Sequence, residues 1–159
     1  MAKQSAGLLL YRSADSTIEV FLVHPGGPFW AKKDLGAWSI PKGEFAEDED
    51  PLAAALREFQ EETGFDALNS LPRKSFNPLG SILQKGGKTV HAWAASITFQ
   101  LDPALVRSNL CFIEWPPRSG RQIEIPEVDR AAWFSIDEAH RRIFAAQQPF
   151  LDRLANAIA

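Results

Sequence analysis

The chain has 159 residues, 45% hydrophobic and 23% charged, which predicts one globular domain over residues 1–159 with a core needing neither disulfide nor structural metal. Its formal net charge of −3 offers no global attraction to nucleic acid or an anionic membrane, so phosphate binding has to be local or cation-mediated, and no large nucleic-acid substrate is expected. The one cysteine excludes an internal disulfide, and no apolar stretch approaches a membrane span, so a cytoplasmic location is the default expectation.

The opening MAKQSAGLLLY carries one lysine and a short apolar run, which reads as a first strand rather than a signal peptide. Residues 5–12 and 18–24 are β-rich and separated by polar Ser13 to Ser16, the pattern of a hairpin. A long loop rich in Gly and Pro follows at 25–36, leading through Trp38-Ser39-Ile40-Pro41 to Lys42 and Gly43. Phe29 and Trp30 in that loop have two readings, a hydrophobic plug beneath the loop or a platform on which a nucleobase stacks.

Asp50 before Pro51 is an N-cap and first-turn signal, and Leu52 to Thr63 contains no Gly or Pro, so a helix of about three turns is predicted, ended by Gly64. At about 100° per residue, Leu52, Ala55, Leu56 and Phe59 share one face, while Glu58, Glu61 and Glu62 fall together about 110–130° away. Three like charges within little more than one turn repel, since a unit pair at about 4 Å costs about 4 kcal/mol at an effective dielectric near 20. A hard divalent cation resolves that repulsion, and oxygen-only ligands favour Mg²⁺ or Mn²⁺. Arg57, four residues before Glu61, is placed to pair with an acid of this segment. A solvated acidic face is the bland alternative.

Beyond the helix, Ser75 to Leu83 and Thr89 to Gln100 are predicted strands joined by a turn at Gln84 to Gly87. A second irregular region carries Trp115, Pro116, Pro117, Gly120 and Pro126; then Ala131 to Phe134 form a strand end. Ser135 is a candidate N-cap, and Ile136 to Ala145 and Phe150 to Ile158 are the closing helices. Cys111, within an apolar run, reads as a small hydrophobe rather than a nucleophile. Gly86-Gly87-Lys88-Thr89 is not a P-loop, because its first glycine would have to stand at Ile82. His24, His91 and His140 lack zinc-ligand spacing, and no Gly-x-Ser-x-Gly occurs. Strands mixed with a few helices imply an α/β sandwich.

Gly43, Glu49, Arg57, Glu58, Glu61, Glu62 and Gly64, with Phe59 and Phe65 at apolar positions, match the pattern G-x5-E-x7-R-E-U-x-E-E-x-G-U. This segment, residues 43–65, resembles the box of the Nudix (MutT-type) hydrolases. The resemblance implies an α/β/α sandwich with a mixed sheet and a loop-helix-loop box. It further implies a Mg²⁺-dependent pyrophosphohydrolase, with Mn²⁺ able to substitute, in which Glu58, Glu61, Glu62 and the Lys42 carbonyl hold metal and Arg57 makes an orienting salt bridge to Glu49. Trp38-Ser39-Ile40-Pro41-Lys42-Gly43 and the strand led by Lys88 are similar to Nudix dinucleoside tetraphosphate hydrolases, whereas many relatives carry Pro-Gly-Gly before the box. The Lys42 and Lys88 ammonium groups then become candidate phosphate ligands, with a plain surface lysine the alternative for Lys88.

Similar hydrolases place a further catalytic carboxylate before the residue matching Trp133. Glu127 is the candidate for that group, as an extra metal ligand or as the general base in place of Glu62, with Glu124 as its substitute. Arg118 and Arg121 are candidate contacts for distal phosphates or solvated charges. The favoured substrate is a dinucleoside polyphosphate of the diadenosine tetraphosphate type. A house-cleaning nucleoside triphosphate pyrophosphatase and a non-catalytic nucleotide sensor are the alternatives. An isopentenyl diphosphate isomerase needs a catalytic cysteine, for which Cys111 is poorly placed.

Overall fold

The computed structural model describes residues 3–66 and 71–159. The opening segment, apart from Met1 and Ala2, which lie outside the described residues, forms β1 (Gln4–Ala14), paired antiparallel with β2 (Thr17–Pro25). Asp15 and Ser16 turn the hairpin with φ of 49° and 68°, the positive values a two-residue turn needs to match strand twist. Both strands are nearly continuous apolar runs because both faces are covered. Leu8, Leu10, Phe21 and Val23 face one core while Leu9, Val20 and Leu22 face another.

The other strands of the main sheet are β3 (Lys42–Glu44), β4 (Asn77–Gln84), β5 (Lys88–Ser96) and β8 (Val128–Ser135). They complete a mixed sheet ordered β4-β5-β1-β2-β8, in which β5 runs parallel to β1 and β3 pairs antiparallel with the first residues of β1. Helix α1 (Pro51–Thr63) packs on the first core through Leu52, Leu56 and Phe59, and the Phe59 ring lies 6.1 Å from that of Phe21. Full burial of such a side chain contributes about 1.5–3 kcal/mol. Helices α2 (Ile136–Arg142) and α3 (Gln148–Ile158) cover the second core through Ala139, Phe150, Leu151 and Leu154. The result is the predicted α/β/α sandwich. Among the described residues, no helix is long and apolar enough to cross a membrane.

The structure differs from the sequence expectation at five places. The region that carries Trp115, Pro116, Pro117, Gly120 and Pro126 is irregular only at its centre: β6 (Leu110–Glu114) and β7 (Gln122–Pro126) form a separate two-stranded sheet, whose tip holds Trp115, Pro116, Pro117 and Gly120 and whose second strand ends at Pro126. Its signal is the alternation of half-buried Cys111, Ile113, Ile123 and Ile125 with exposed neighbours, obscured by the intervening prolines. β5 ends at Ser96 rather than Gln100, and β4 starts at Asn77 because Arg73 to Ser75 form a 3₁₀ turn. α2 stops at Arg142, since Ile143 leaves the helix to bridge to Trp38. α3 begins two residues before Phe150, with Pro149 in its first turn, where the missing N–H costs nothing.

Candidate active site

α1 starts where predicted. The Asp50 carboxylate accepts the Ala53 N–H at 2.9 Å, Pro51 opens the first turn, and Gly64 closes the last with φ of 83°. The helix therefore presents its glutamates at a defined height beneath β3. Gly43 on β3 is glycine for a packing reason, because a Cβ there would occupy the space filled by the Glu58 carboxyl group. We expect Gly43→Ala to lower turnover about a hundredfold while the chain stays folded, since a side chain displaced by about an ångström near reacting groups costs that much. Steady-state kinetics with a thermal melt check this; wild-type turnover would show that the seat of Glu58 is dispensable.

Arg57 binds the acids around it. Its Nε donates to Glu49 Oε2 at 3.0 Å, one terminal nitrogen to Glu49 Oε1 at 3.2 Å, and the other to Glu58 Oε1 at 2.9 Å and Glu61 Oε1 at 3.2 Å. Both pairings anticipated for Arg57 occur together. These contacts hold Glu49 below the ordinary carboxylate range and raise the guanidinium. Glu62 lies outside the network. It is 9% exposed, accepts the Lys42 N–H at 3.3 Å, and is pushed up to about 8 by burial and by the charge of Glu127. Glu58 is raised by burial and Glu61, and Glu127 by burial and Glu61 despite its hydrogen bond from Asn109.

The fold thus brings Glu127, 65 residues beyond Glu62 in the chain, close enough for their charges to interact; the alternative, Glu124, is exposed on β7. Lys42 is half-buried and lowered by burial and by the charge of Lys88, against the opposing charges of Glu62, Glu44 and Glu58. Lys88 rests against Glu44 at 3.4 Å. Arg118 and Arg121 stand exposed at the tip of the β6–β7 sheet and, among the described residues, form no ion pair. Trp30 packs edge-on against Phe29 and Phe144 at 4.8 and 5.4 Å and is half-buried, whereas Phe29 is 51% exposed, so of the two only Trp30 is partly covered by the fold. The Cys111 thiol is half-buried and raised by burial and Glu127, which keeps it protonated, as a non-nucleophilic role requires.

The donor set suits a hard cation: oxygen ligands only, on buried or half-buried carboxyl groups whose mutual repulsion an added positive charge would relieve. Among the described residues no three His, Cys, Asp or Glu side chains already converge on one point, because Arg57 draws Glu58 and Glu61 toward itself. A cavity of about 670 Å³ lies beside the start of α1, lined by Gln4, Phe45, Glu47, Glu49 and His91 among others. None of Glu58, Glu61, Glu62 or Glu127 lines it.

Two features escaped the sequence reading. Asn109 contacts both the end of α1 and Glu127: its N–H donates to the Glu61 carbonyl at 2.8 Å, its carbonyl accepts the Glu127 N–H at 3.0 Å, and its Nδ2 donates to Glu127 Oε1 at 3.4 Å. His24, fully buried, joins the 25–36 loop to β8 through Asp129 at 2.9 Å and the Lys33 carbonyl at 2.6 Å. Neither leaves a local signal, since the Glu127 partner of Asn109 lies 18 residues away in the chain and the Asp129 partner of His24 lies 105 away.

The NUDIX domain family model matches residues 1–154. The bis(5′-nucleosyl)-tetraphosphatase [asymmetrical] of Rattus norvegicus is 33% identical over 104 residues, which cover 61% of this chain and 67% of that protein. An 8-oxo-(d)GTP phosphatase of Mycolicibacterium smegmatis is 28% identical over 148 residues, 86% of this chain but 36% of that protein. Among solved structures, a C. elegans Ap4A hydrolase binary complex superposes with a TM-score of 0.67 at 20% identity over 99% of this chain and 98% of that one. The NUDIX domain of Shewanella oneidensis NrtR complexed with ADP ribose gives 0.67 at 16% identity, covering 100% and 90%. At those identities the two structures speak to the fold alone.

Proposed function

The chain belongs to the Nudix hydrolase family, and from that membership we propose that it is a Mg²⁺-dependent pyrophosphohydrolase of nucleoside polyphosphates, cleaving a dinucleoside polyphosphate of the diadenosine tetraphosphate type. The observation that carries this reading is the charge coupling of buried Glu58 and Glu62 with Glu127, next to Lys42, whose N–H donates to Glu62 and whose ammonium feels the charge of Lys88. Two lysines that repel each other are relieved by a polyanion, and carboxylates that repel each other are relieved by a cation. A metal-complexed polyphosphate supplies both.

Glu58, Glu61, Glu62, Glu127 and the Lys42 carbonyl would hold Mg²⁺, or Mn²⁺ in its place. When bound, such a cation neutralises phosphate charge and makes water more acidic. Glu62 or Glu127 takes the proton of the water that attacks phosphorus, and burial suits either to hold it. Lys42 and Lys88 stabilise charge on the phosphate chain, and Arg118 and Arg121 are available to its distal end. Arg57 keeps Glu58 and Glu61 in register with Glu49. Trp30 is a less favoured contact for a base, given its packing against Phe144.

The preference for a dinucleotide rests on the Trp-x-x-Pro-Lys-Gly approach at 38–43, on Lys88, and on the similarity to a tetraphosphatase. The similarity to an 8-oxo-(d)GTP phosphatase favours a second reading, cleavage of a nucleoside triphosphate. A panel of nucleotides with Mg²⁺ and chromatographic identification of products separates them. Diadenosine tetraphosphate is expected to be the best substrate and to yield two nucleotides. Faster turnover of a triphosphate to monophosphate and pyrophosphate would replace this reading by the second.

A further inference from the structure

We infer that Asn109 is a positioning residue for this hydrolase, aiming the Glu127 carboxylate at the acidic end of α1. This rests on the role proposed above for Glu127. The backbone around Glu127 is gripped from two sides. On one, Gly26 donates its N–H to the Glu127 carbonyl at 3.0 Å, and its own lack of a Cβ lets it lie against the Pro126 carbonyl. On the other, the Asn109 carbonyl accepts the Glu127 N–H, and the Ser108 hydroxyl accepts the Val128 N–H at 3.0 Å while donating to the Asn109 carbonyl at 2.9 Å.

That grip fixes the chain but leaves the Glu127 side chain free to rotate. The Asn109 amide supplies the missing restraint by donating Nδ2–H to Glu127 Oε1. Its orientation follows from its surroundings: a carboxylate only accepts, so the NH₂ end faces Glu127, and the Ser108 hydroxyl faces Asn109 Oδ1 at 3.4 Å. Asn109 is itself tied to the reacting helix through the Glu61 carbonyl. One residue thereby sets the distance between the carboxylates of α1 and the carboxylate arriving from the loop before β8. The two segments are otherwise remote in sequence, and Glu127 is only half-buried, so packing alone does not impose one rotamer.

The test compares Asn109→Ala and Asn109→Asp, each alone and combined with Glu127→Gln, using the fastest substrate of the panel. Asn109→Ala should lower kcat about tenfold with KM within about twofold, the size expected for a lost hydrogen bond to a charged group. Asn109→Asp keeps the shape but replaces a donor by a like charge facing Glu127, so it should lose more kcat than Asn109→Ala. A purely structural role would instead leave the losses at 109 undiminished in the Glu127→Gln background. In the Glu127→Gln background neither change at 109 should lower the residual kcat further. Wild-type kcat in both single variants, or an undiminished loss at 109 in the Glu127→Gln background, overturns the inference while leaving Glu127 in place. Wild-type turnover by Glu127→Gln overturns the role of Glu127 and this inference together.

Discussion

Glu62→Gln is expected to lower turnover by about a thousandfold, within the range a lost general base or ligand produces, while leaving the chain folded and, near pH 8 without divalent cation, more stable than wild type. The two halves of this expectation have one cause. Glu62 is buried beside Glu127 and Glu58 and, among the described residues, receives a hydrogen bond only from the Lys42 N–H, so its charge is costly to the fold and, in the role proposed above, useful to the reaction. A glutamine removes that charge and nearly preserves the shape. Glu61→Gln should also abolish most turnover, but with little gain in stability, because Glu61 is half-exposed and already paired with Arg57. Steady-state kinetics and thermal melts on both variants provide the check. Near-wild-type turnover in either would remove that residue from the reaction, and a Glu62→Gln protein less stable than wild type at pH 8 would contradict its electrostatic position.

Stripped of divalent cation, the wild-type protein should lose stability as pH rises from 5 to 8. In the unfolded chain Glu62 releases its proton near 4.5, whereas in the fold it holds it to about 8. Below pH 4.5 both states carry the proton. Between the two values only the folded state does, so each rise in pH favours unfolding, by up to about 1.4 kcal/mol per pH unit. Glu58 and Glu127, also raised, add slope of the same sign. Glu49, Asp50 and Asp34 are lowered, so their stabilisation is complete above their ordinary values and adds no slope here. Urea midpoints from pH 5 to 8.5 in chelator should therefore fall, Glu62→Gln should flatten the curve, and millimolar Mg²⁺ should lift its alkaline end. A flat wild-type curve would mean that water reaches Glu62 and holds it at an ordinary carboxylate value.

Hydrophobic patterning made β1 and β2 legible as two β-rich runs joined by a polar turn. Cap chemistry at Asp50, Pro51 and Gly64 made α1 legible almost to the residue. Both are local: a capping bond spans three residues, and a face of a helix or strand repeats within a turn or a pleat. The β6–β7 sheet was missed because its stabilising pairs, such as Cys111 with Ile125, flank a segment whose prolines and glycine mark a loop, which is what its tip is. The carboxylates of α1 were legible as a charge cluster, but helical spacing gives Glu58, Glu61 and Glu62 no order of burial.

That order is a tertiary result. Gly43 admits Glu58 beneath β3, Arg57 draws Glu58 and Glu61 toward Glu49, and Glu62 is left with the Lys42 amide and the approaching charge of Glu127. By itself the sequence determined the helix, the hairpin, the spacing of the acids and so the class of chemistry, because each depends on contacts within a few residues. Only the tertiary structure decided which acid is starved of solvent, which loop carboxylate joins it, and that Asn109 and His24 fix the surrounding segments. Those properties arise from contacts between residues up to 105 positions apart, and burial and charge coupling act through space rather than along the chain.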